Sequence, residues 1–220
     1  MARMARLVVP NYPHHVVQRG SRRQPTFFGN SDYRMYLQLV ADTKEKFGVN
    51  FWAYCLMPNH VHLIVVPERK DSLARLCRST HREYARRINQ REGWRGHLWQ
   101  ERFHSFVMDE EYLLAAVRYV ELNPVRAGLC NHAADWPWSS ARAHLQARSD
   151  ILVDVKPMRE RIQDWSAYLD TEVPRAKTDV IRDHIGTGRP AGSDKFIDEL
   201  EGRTGRVLRK RRAGRKSAAN

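Results

Sequence analysis

The sequence predicts an α+β fold: a ferredoxin-like antiparallel sheet, in the order β-α-β-β-α-β-α with helices on one face, followed by a basic C-terminal appendage of helical and disordered character. Three observations predict it. Short runs of strand-forming residues occur at 14–18, 49–56, 60–66 and 103–108, apolar residues recur at helical spacing across 30–47, 71–92 and 109–123, and hydrophobic density falls beyond residue 140. Strands and helices interleaved in that order form a split βαβ motif with one added helix.

In chain order, His14-His15-Val16-Val17-Gln18 reads as the first strand and stops at a basic turn, Arg19-Gly20-Ser21-Arg22-Arg23. Asn30-Ser31-Asp32 supplies helix-start residues, and Tyr33, Tyr36, Leu37, Val40 and Phe47 carry the apolar stripe until Gly48. Two strands joined at Met57-Pro58-Asn59 read as a hairpin that ends at Pro67. Asp71-Ser72 opens an arginine-rich helix whose buried stripe is Leu73, Leu76, Cys77, Tyr84 and Ile88. A fourth strand over 103–108 leads to Asp109-Glu110-Glu111, acidic residues suited to a helix start, and that helix runs to about Asn123-Pro124. A boundary near residue 150 divides the chain into 1–150 and an appendage at 151–220. The appendage carries helical fragments at about 157–170 and 193–202 and a basic run from Gly202 to Lys216.

The chain has 220 residues, 42% of them apolar, and a formal net charge of +13. Such an excess, dominated by arginine, points to nucleic acid rather than a membrane or a small-molecule substrate, because guanidinium forks bind phosphate and stack on bases. Three scattered cysteines, Cys55, Cys77 and Cys130, form no CxxC pair, which argues against a disulfide framework and a cysteine zinc site. The apolar run before Pro10 is too short for a signal peptide, so the expected location is the cytoplasm.

Two clusters carry chemistry. His60 and His62 lie two apart on a strand and project from one side, where neutral imidazoles can hold a divalent metal or face solvent as ordinary polar residues. Tyr119 and Asn123 lie four apart on a helix and share a face. A phenol there can act as a nucleophile and the carboxamide oxygen can complete a metal site; equally, Tyr119 can be a core aromatic and Asn123 a helix-end residue. Candidate DNA contacts are Arg19, Arg22, Arg23, Trp99 and Arg102, with Arg78, Arg82, Arg86 and Arg87 on the second helix, each readable also as a surface charge or, for Trp99, as a core plug. His104 can approach the same site from its strand, or serve structurally.

The segments Cys55-Leu56-Met57-Pro58-Asn59-His60-Val61-His62, Leu98-Trp99-Gln100-Glu101-Arg102-Phe103 and Tyr119-Val120-Glu121-Leu122-Asn123-Pro124-Val125-Arg126-Ala127-Gly128 occur in this order. In them the chain resembles the REP-associated tyrosine transposases, single-tyrosine HUH enzymes related to the transposases of small insertion sequences. The resemblance covers about residues 6–145. It implies an endonuclease domain over 1–150 in which His60, His62 and Asn123 hold Mg²⁺ or Mn²⁺ and Tyr119 is the nucleophile. Many insertion-sequence relatives carry glutamine where Asn123 stands. The implied substrate is single-stranded or hairpin-forming palindromic DNA, cut and joined through a 5′-phosphotyrosine link by a nucleoid-associated monomer or homodimer. Tyr112, two turns before Tyr119, competes as nucleophile on spacing alone. A non-catalytic DNA-binding protein of the same fold, an RNA-binding module with aromatics on its sheet, and a replication initiator or relaxase are the rival readings.

Overall fold

The computed structural model describes residues 5–171 and 175–209. The first half follows the expected order: β1 (His14–Arg19), α1 (Asn30–Lys44), β2 (Val49–Met57), β3 (His60–Pro67), α2 (Ser72–Glu92), β4 (His104–Val107), α3 (Glu110–Glu121) and α4 (Asn123–Arg126). The sheet order is β2-β3-β1-β4 with every neighbouring pair antiparallel. β1 and β3 therefore occupy the centre, and β2 and β4 are its edges.

Local chemistry explains the ends of these elements. The buried Asp32 carboxylate accepts the Phe28 N–H at 2.9 Å and pairs with Arg91, which ties the start of α1 to the last turn of α2. α2 stops at Gly93, whose φ of +67° favours a residue without a side chain. Asp109 caps α3 by accepting the Tyr112 N–H at 3.1 Å. In β2 the pairing with β3 slips between Phe51 and Ala53, so Phe51, Tyr54 and Leu56 share one face while Ala53, Cys55 and Met57 share the other.

Helices cover both faces. α1 and α2 bury Val16, Phe51, Leu56, Leu63 and Val65 on the first, the one face expected from the sequence to carry helices. The second face, with Ala53, Cys55, Ile64 and Phe106, is covered by Leu113, Ala116, Val117 and Val120 of α3. Chain beyond residue 140 completes that cover through α5 (Ala141–Leu145), α6 (Lys156–Arg159), α7 (Trp165–Asp170) and α8 (Arg175–Thr187). α9 (Asp194–Thr204) packs Phe196, Ile197 and Leu200 against Leu7, Val9 and Val107. Leu208 is buried in the same cluster, so the start of the basic run is docked; its remainder, 210–220, lies outside the described residues.

Both sheet edges are met by later chain. Ser139 and Val153 bridge to Cys55 and Phe51 on β2, and Ala191 bridges to Met108 beyond β4. The Trp136-Pro137-Trp138-Ser139-Ser140 segment runs along β2, with the Trp136 indole donating to Leu56 O at 3.0 Å and the Leu56 N–H donating to Trp138 O at 2.8 Å.

A buried polar network fixes α3 to the later helices. The Glu121 carboxylate, fully buried, accepts from Ser140 Oγ at 2.5 Å, His144 Nδ1 at 2.6 Å and Trp165 Nε1 at 2.8 Å. The His144 ring stacks on Trp165 with centroids 4.1 Å apart. Three converging donors replace the water that this carboxylate has in the unfolded chain.

The turn after β1 is tight. A Cβ at Gly20 would lie 2.4 Å from Gln24 O, and Arg22 and Arg23 adopt φ of +55° and +62°, a left-handed conformation that costs a residue with a side chain roughly 1 kcal/mol. Asn59 holds the turn by donating to Arg23 O at 3.0 Å.

Two stability outcomes are expected. Trp165→Phe leaves a Glu121 oxygen without its donor and should lower unfolding free energy by about 1–3 kcal/mol in urea melts. Arg23→Gly should leave stability unchanged or raise it by roughly 1 kcal/mol, since it removes the left-handed cost at φ of +62°.

Candidate active site

Period-two alternation on β3 sends Val61, Leu63 and Val65 into the α1–α2 core and leaves His60 and His62 on the α3 face. Antiparallel pairing with β1 sets Arg19 opposite His60 and Val17 opposite His62, so the Arg19 side chain shares that face. α3 crosses the same face and delivers Tyr119. The His60 and His62 ring centroids are 4.8 Å apart, and His62 and Tyr119 are 5.7 Å apart with their rings nearly perpendicular.

Backbone hydrogen bonds carry the helical path from α3 into α4 almost without a break, including Leu122 N–H to Arg118 O at 3.0 Å and Ala127 N–H to Asn123 O at 3.0 Å. Tyr119 and Asn123 therefore keep the one-turn spacing read from the sequence. From α4, seven residues after Tyr119, Arg126 lays its guanidinium 4.1 Å from the Tyr119 ring centroid and donates to Tyr119 O at 2.5 Å. Tyr112 is turned elsewhere: its ring meets His184 of α8 with centroids 5.9 Å apart.

The electrostatics favour neutral imidazoles. Burial pushes the His60 imidazolium down to about 3, and Arg19 beside it pushes the same way. Burial likewise holds His62 well below its ordinary value, helped by His60, His15, Arg19 and Arg126. Arg19 is itself lowered, first by burial and then by Arg23, while Tyr119 opposes the shift. Neutral rings with free lone pairs are the form that binds a divalent cation.

The donor set fits a cation. Asn59 Oδ1 lies 2.6 Å from His60 Nδ1, and because that oxygen accepts, Nδ1 carries the proton and Nε2 a lone pair. His62 Nε2 is buried with no hydrogen-bond partner, as is the Asn123 amide nitrogen. Turning the Asn123 amide over places its oxygen there instead, since the two ends have nearly the same shape. No group of three His, Cys, Asp or Glu is placed to hold a metal ion among the described residues, so a site here takes two histidines completed by amide or phosphate oxygen.

The other named residues fall in four groups. Arg22 and Arg23 are exposed in the turn beside Arg19. Arg102, Arg78 and Arg82 rim a cavity of about 600 Å³ on the α2 side of β1, across the strand from the histidines. Trp99 forms part of that cavity wall but is mostly buried, its indole donating to His81 O at 3.1 Å. Arg86 and Arg87 are both paired with Glu83, at 2.8 Å and 2.7 Å. His104 shares the sheet face of the histidine pair, yet its ring nitrogens lie 3.0 Å from Ile185 O and 2.9 Å from Glu101 Oε1.

Two residues of the site had no role in the sequence reading, Arg126 over the Tyr119 ring and His15. His15 is fully buried, its Nε2 lies 2.9 Å from His62 Nδ1, and its ring sits 6.3 Å from that of Tyr119. The usable signal was strand parity: His15 lies four residues before Arg19, hence on the same face, but that inference needs the β1–β3 register.

A family model described as "Transposase IS200 like" matches residues 8–123, more than half of the chain and the segment that contains both histidines, Tyr119 and Asn123. A protein of Haemophilus influenzae named for the REP-associated tyrosine transposases is 25% identical over 142 residues, which cover 60% of this chain and 74% of that protein. The REP-associated tyrosine transposase of Escherichia coli K12 is 25% identical over 113 residues, covering 50% of this chain and 65% of its own length, just under two thirds. Among solved structures, a REP-associated tyrosine transposase bound to a REP hairpin superposes with a TM-score of 0.56 at 22% identity, over 70% of this chain and 93% of the other, and shares its fold. By sheet order, motif order and matched extent, the chain belongs to the IS200-like transposase family.

Proposed function

We propose that this protein is a metal-dependent transposase that cuts and rejoins single-stranded DNA beside a hairpin, with Tyr119 as nucleophile. The observation that carries the reading is the approach of the Tyr119 ring to 5.7 Å from His62, on the sheet face that His60 and His62 share. Two of its relatives are named tyrosine transposases, and a solved neighbour of the same fold is bound to a REP hairpin, which supports DNA of that class as substrate.

In this reading the phenolic oxygen of Tyr119 forms a bond to phosphorus, the P–O3′ bond breaks, the phenol loses its proton and the departing 3′-oxygen gains one. A 5′-phosphotyrosine and a free 3′-hydroxyl result, and attack by another 3′-hydroxyl reverses the step and joins strands. A divalent ion held by His60, His62 and Asn123 would supply Lewis-acid polarisation of a non-bridging phosphate oxygen, for which Mg²⁺ or Mn²⁺ suits the mixed nitrogen and oxygen donors. Arg19 and Arg126, flanking the phenol, offset negative charge that accumulates as phosphate arrives. Arg22 and Arg23 extend this positive field along the β1 turn, and Arg102 with the cavity beside Trp99 gives the unpaired flank a second basic surface. Burial of both sheet faces under helices disfavours an RNA-binding module that stacks bases on sheet aromatics.

We infer that the basic run beyond Arg209 acts in binding rather than cleavage. Residues 203–209 are needed for packing, since Arg203 reaches the Tyr12 hydroxyl at 3.0 Å and Leu208 is buried, so removal should begin after Arg209.

Incubation with Mg²⁺ and a hairpin oligonucleotide carrying single-stranded flanks should yield a covalent adduct that survives denaturation. Tyr119→Phe should abolish it with hairpin affinity unchanged; adduct formed equally by Tyr119→Phe, or none by the wild type, would favour Tyr112 or a non-catalytic DNA-binding protein respectively. Deleting 210–220 should weaken hairpin affinity at low salt and flatten its salt dependence, while adduct yield at saturating DNA stays constant. Faster cleavage by the deleted form would instead assign the tail a restraining role.

A further inference from the structure

We propose that His15 is a positioning residue: its Nε2 accepts the proton of His62 Nδ1 and so presents the His62 Nε2 lone pair to the cation. The proposal rests on the reading of His60 and His62 as ligands, and it deepens that reading by naming what orients the second of them. Ligating histidines generally donate their other ring N–H to a carboxylate, a backbone carbonyl or water, which fixes both tautomer and ring plane. Here that partner is a third imidazole.

The 2.9 Å contact between His15 Nε2 and His62 Nδ1 holds one proton, and two arrangements satisfy it. If His15 donates, His62 must carry its own proton on Nε2, which is buried without an acceptor. If His62 donates, its Nε2 is a bare lone pair and the unmatched N–H passes to His15 Nδ1, buried and likewise without a partner. Each arrangement leaves one orphan donor, so hydrogen-bond counting alone does not choose. The surrounding charges do. Arg19 lies on the same face opposite His60, and Arg126 covers the Tyr119 ring that sits beside His62; positive charge close to His62 favours a bare lone pair on that ring over an N–H dipole. A bound cation strengthens the same preference, because only the Nδ1–H tautomer can ligate through Nε2.

Packing holds His15 in this role. It is fully buried on central strand β1, with Phe106 of β4 at a centroid distance of 5.3 Å and Tyr119 of α3 on another side. The neighbouring His14 is used differently, accepting the Val9 N–H at Nε2 and donating from Nδ1 to Tyr12 O, so the two adjacent histidines serve opposite faces of the strand. Sequence proximity alone does not distinguish them.

The test compares His15→Phe, which keeps an aromatic ring but accepts no hydrogen bond, with His15→Gln, whose Oε1 can reach the place of Nε2. Nitrogen-15 imidazole spectra of the metal-free proteins report the His62 tautomer, Mn²⁺ titration reports affinity, and thermal melts report folding. The wild type should show His62 protonated on Nδ1. His15→Phe should populate the Nε2–H form and lose about 10- to 100-fold in Mn²⁺ affinity, and His15→Gln should restore both the tautomer and most of the affinity. A folded His15→Phe that keeps the Nδ1–H tautomer, or a folded His15→Gln that restores neither quantity, overturns the proposal. If the wild type binds no Mn²⁺, the metal reading of the site fails, and the tautomer comparison still decides what His15 does to His62.

Discussion

The site depends on one register, the antiparallel pairing of β1 with β3. Because Val17 faces His62 and Arg19 faces His60, a single alignment assigns both histidines, the arginine beside them and His15 to the face crossed by α3. Strand side chains alternate, so a slip of one residue would carry the histidines into the α1–α2 core and turn Val61 and Leu63 toward Tyr119. The burial of Val61, Leu63 and Val65 therefore fixes the active-site geometry as firmly as any contact within the site. Apolar packing on one side of the sheet holds the chemistry in place on the other.

Much of this was legible in the sequence because the deciding signals are local. Strand parity placed His60 and His62 together, helical spacing placed Tyr119 with Asn123, and Asp109, Gly48 and the Pro58-Asn59 turn marked boundaries within a few residues of those observed. What escaped is long-range. α8 contains only Val180, Ile181 and Ile185 as apolar anchors, too sparse to announce a helix, and it forms against β4 and α3. The cover over the second sheet face comes from Met158, Ile162, Trp165 and Leu169, scattered through a stretch of low hydrophobic density. Their burial depends on meeting a sheet made more than 40 residues earlier, which no window along the chain reveals. His15 was missed for the same reason, since its partner is 47 residues away.

Two kinds of polar burial meet where α3 passes into α4. At Glu121 every buried carboxylate contact is met by a donor, and the result is rigidity. At His62, His15 and Asn123 buried polar atoms are left without partners, which a folding chain tolerates only at a cost and which a ligand would relieve. α3 is thus anchored by a carboxylate with three donors two residues before Asn123, and opens immediately afterward onto buried polar atoms without partners. Arg22 and Arg23, in left-handed backbone next to Arg19, add a second local cost at the same margin of the sheet.

The bridges at the sheet margins bear on how the chain reaches this state. Ser139, Val153 and Ala191, which close β2 and the end of β4, are synthesised well after the strands they protect. Until they emerge, a ribosome-bound chain presents open amide rows on both sides of a completed four-strand sheet, the geometry that invites strand exchange between copies. A fragment ended at residue 150 would keep its histidines and tyrosine but lose the Val153 and Ala191 closures. Self-association of such a fragment would reflect those uncapped rows rather than the assembly habit of the intact protein.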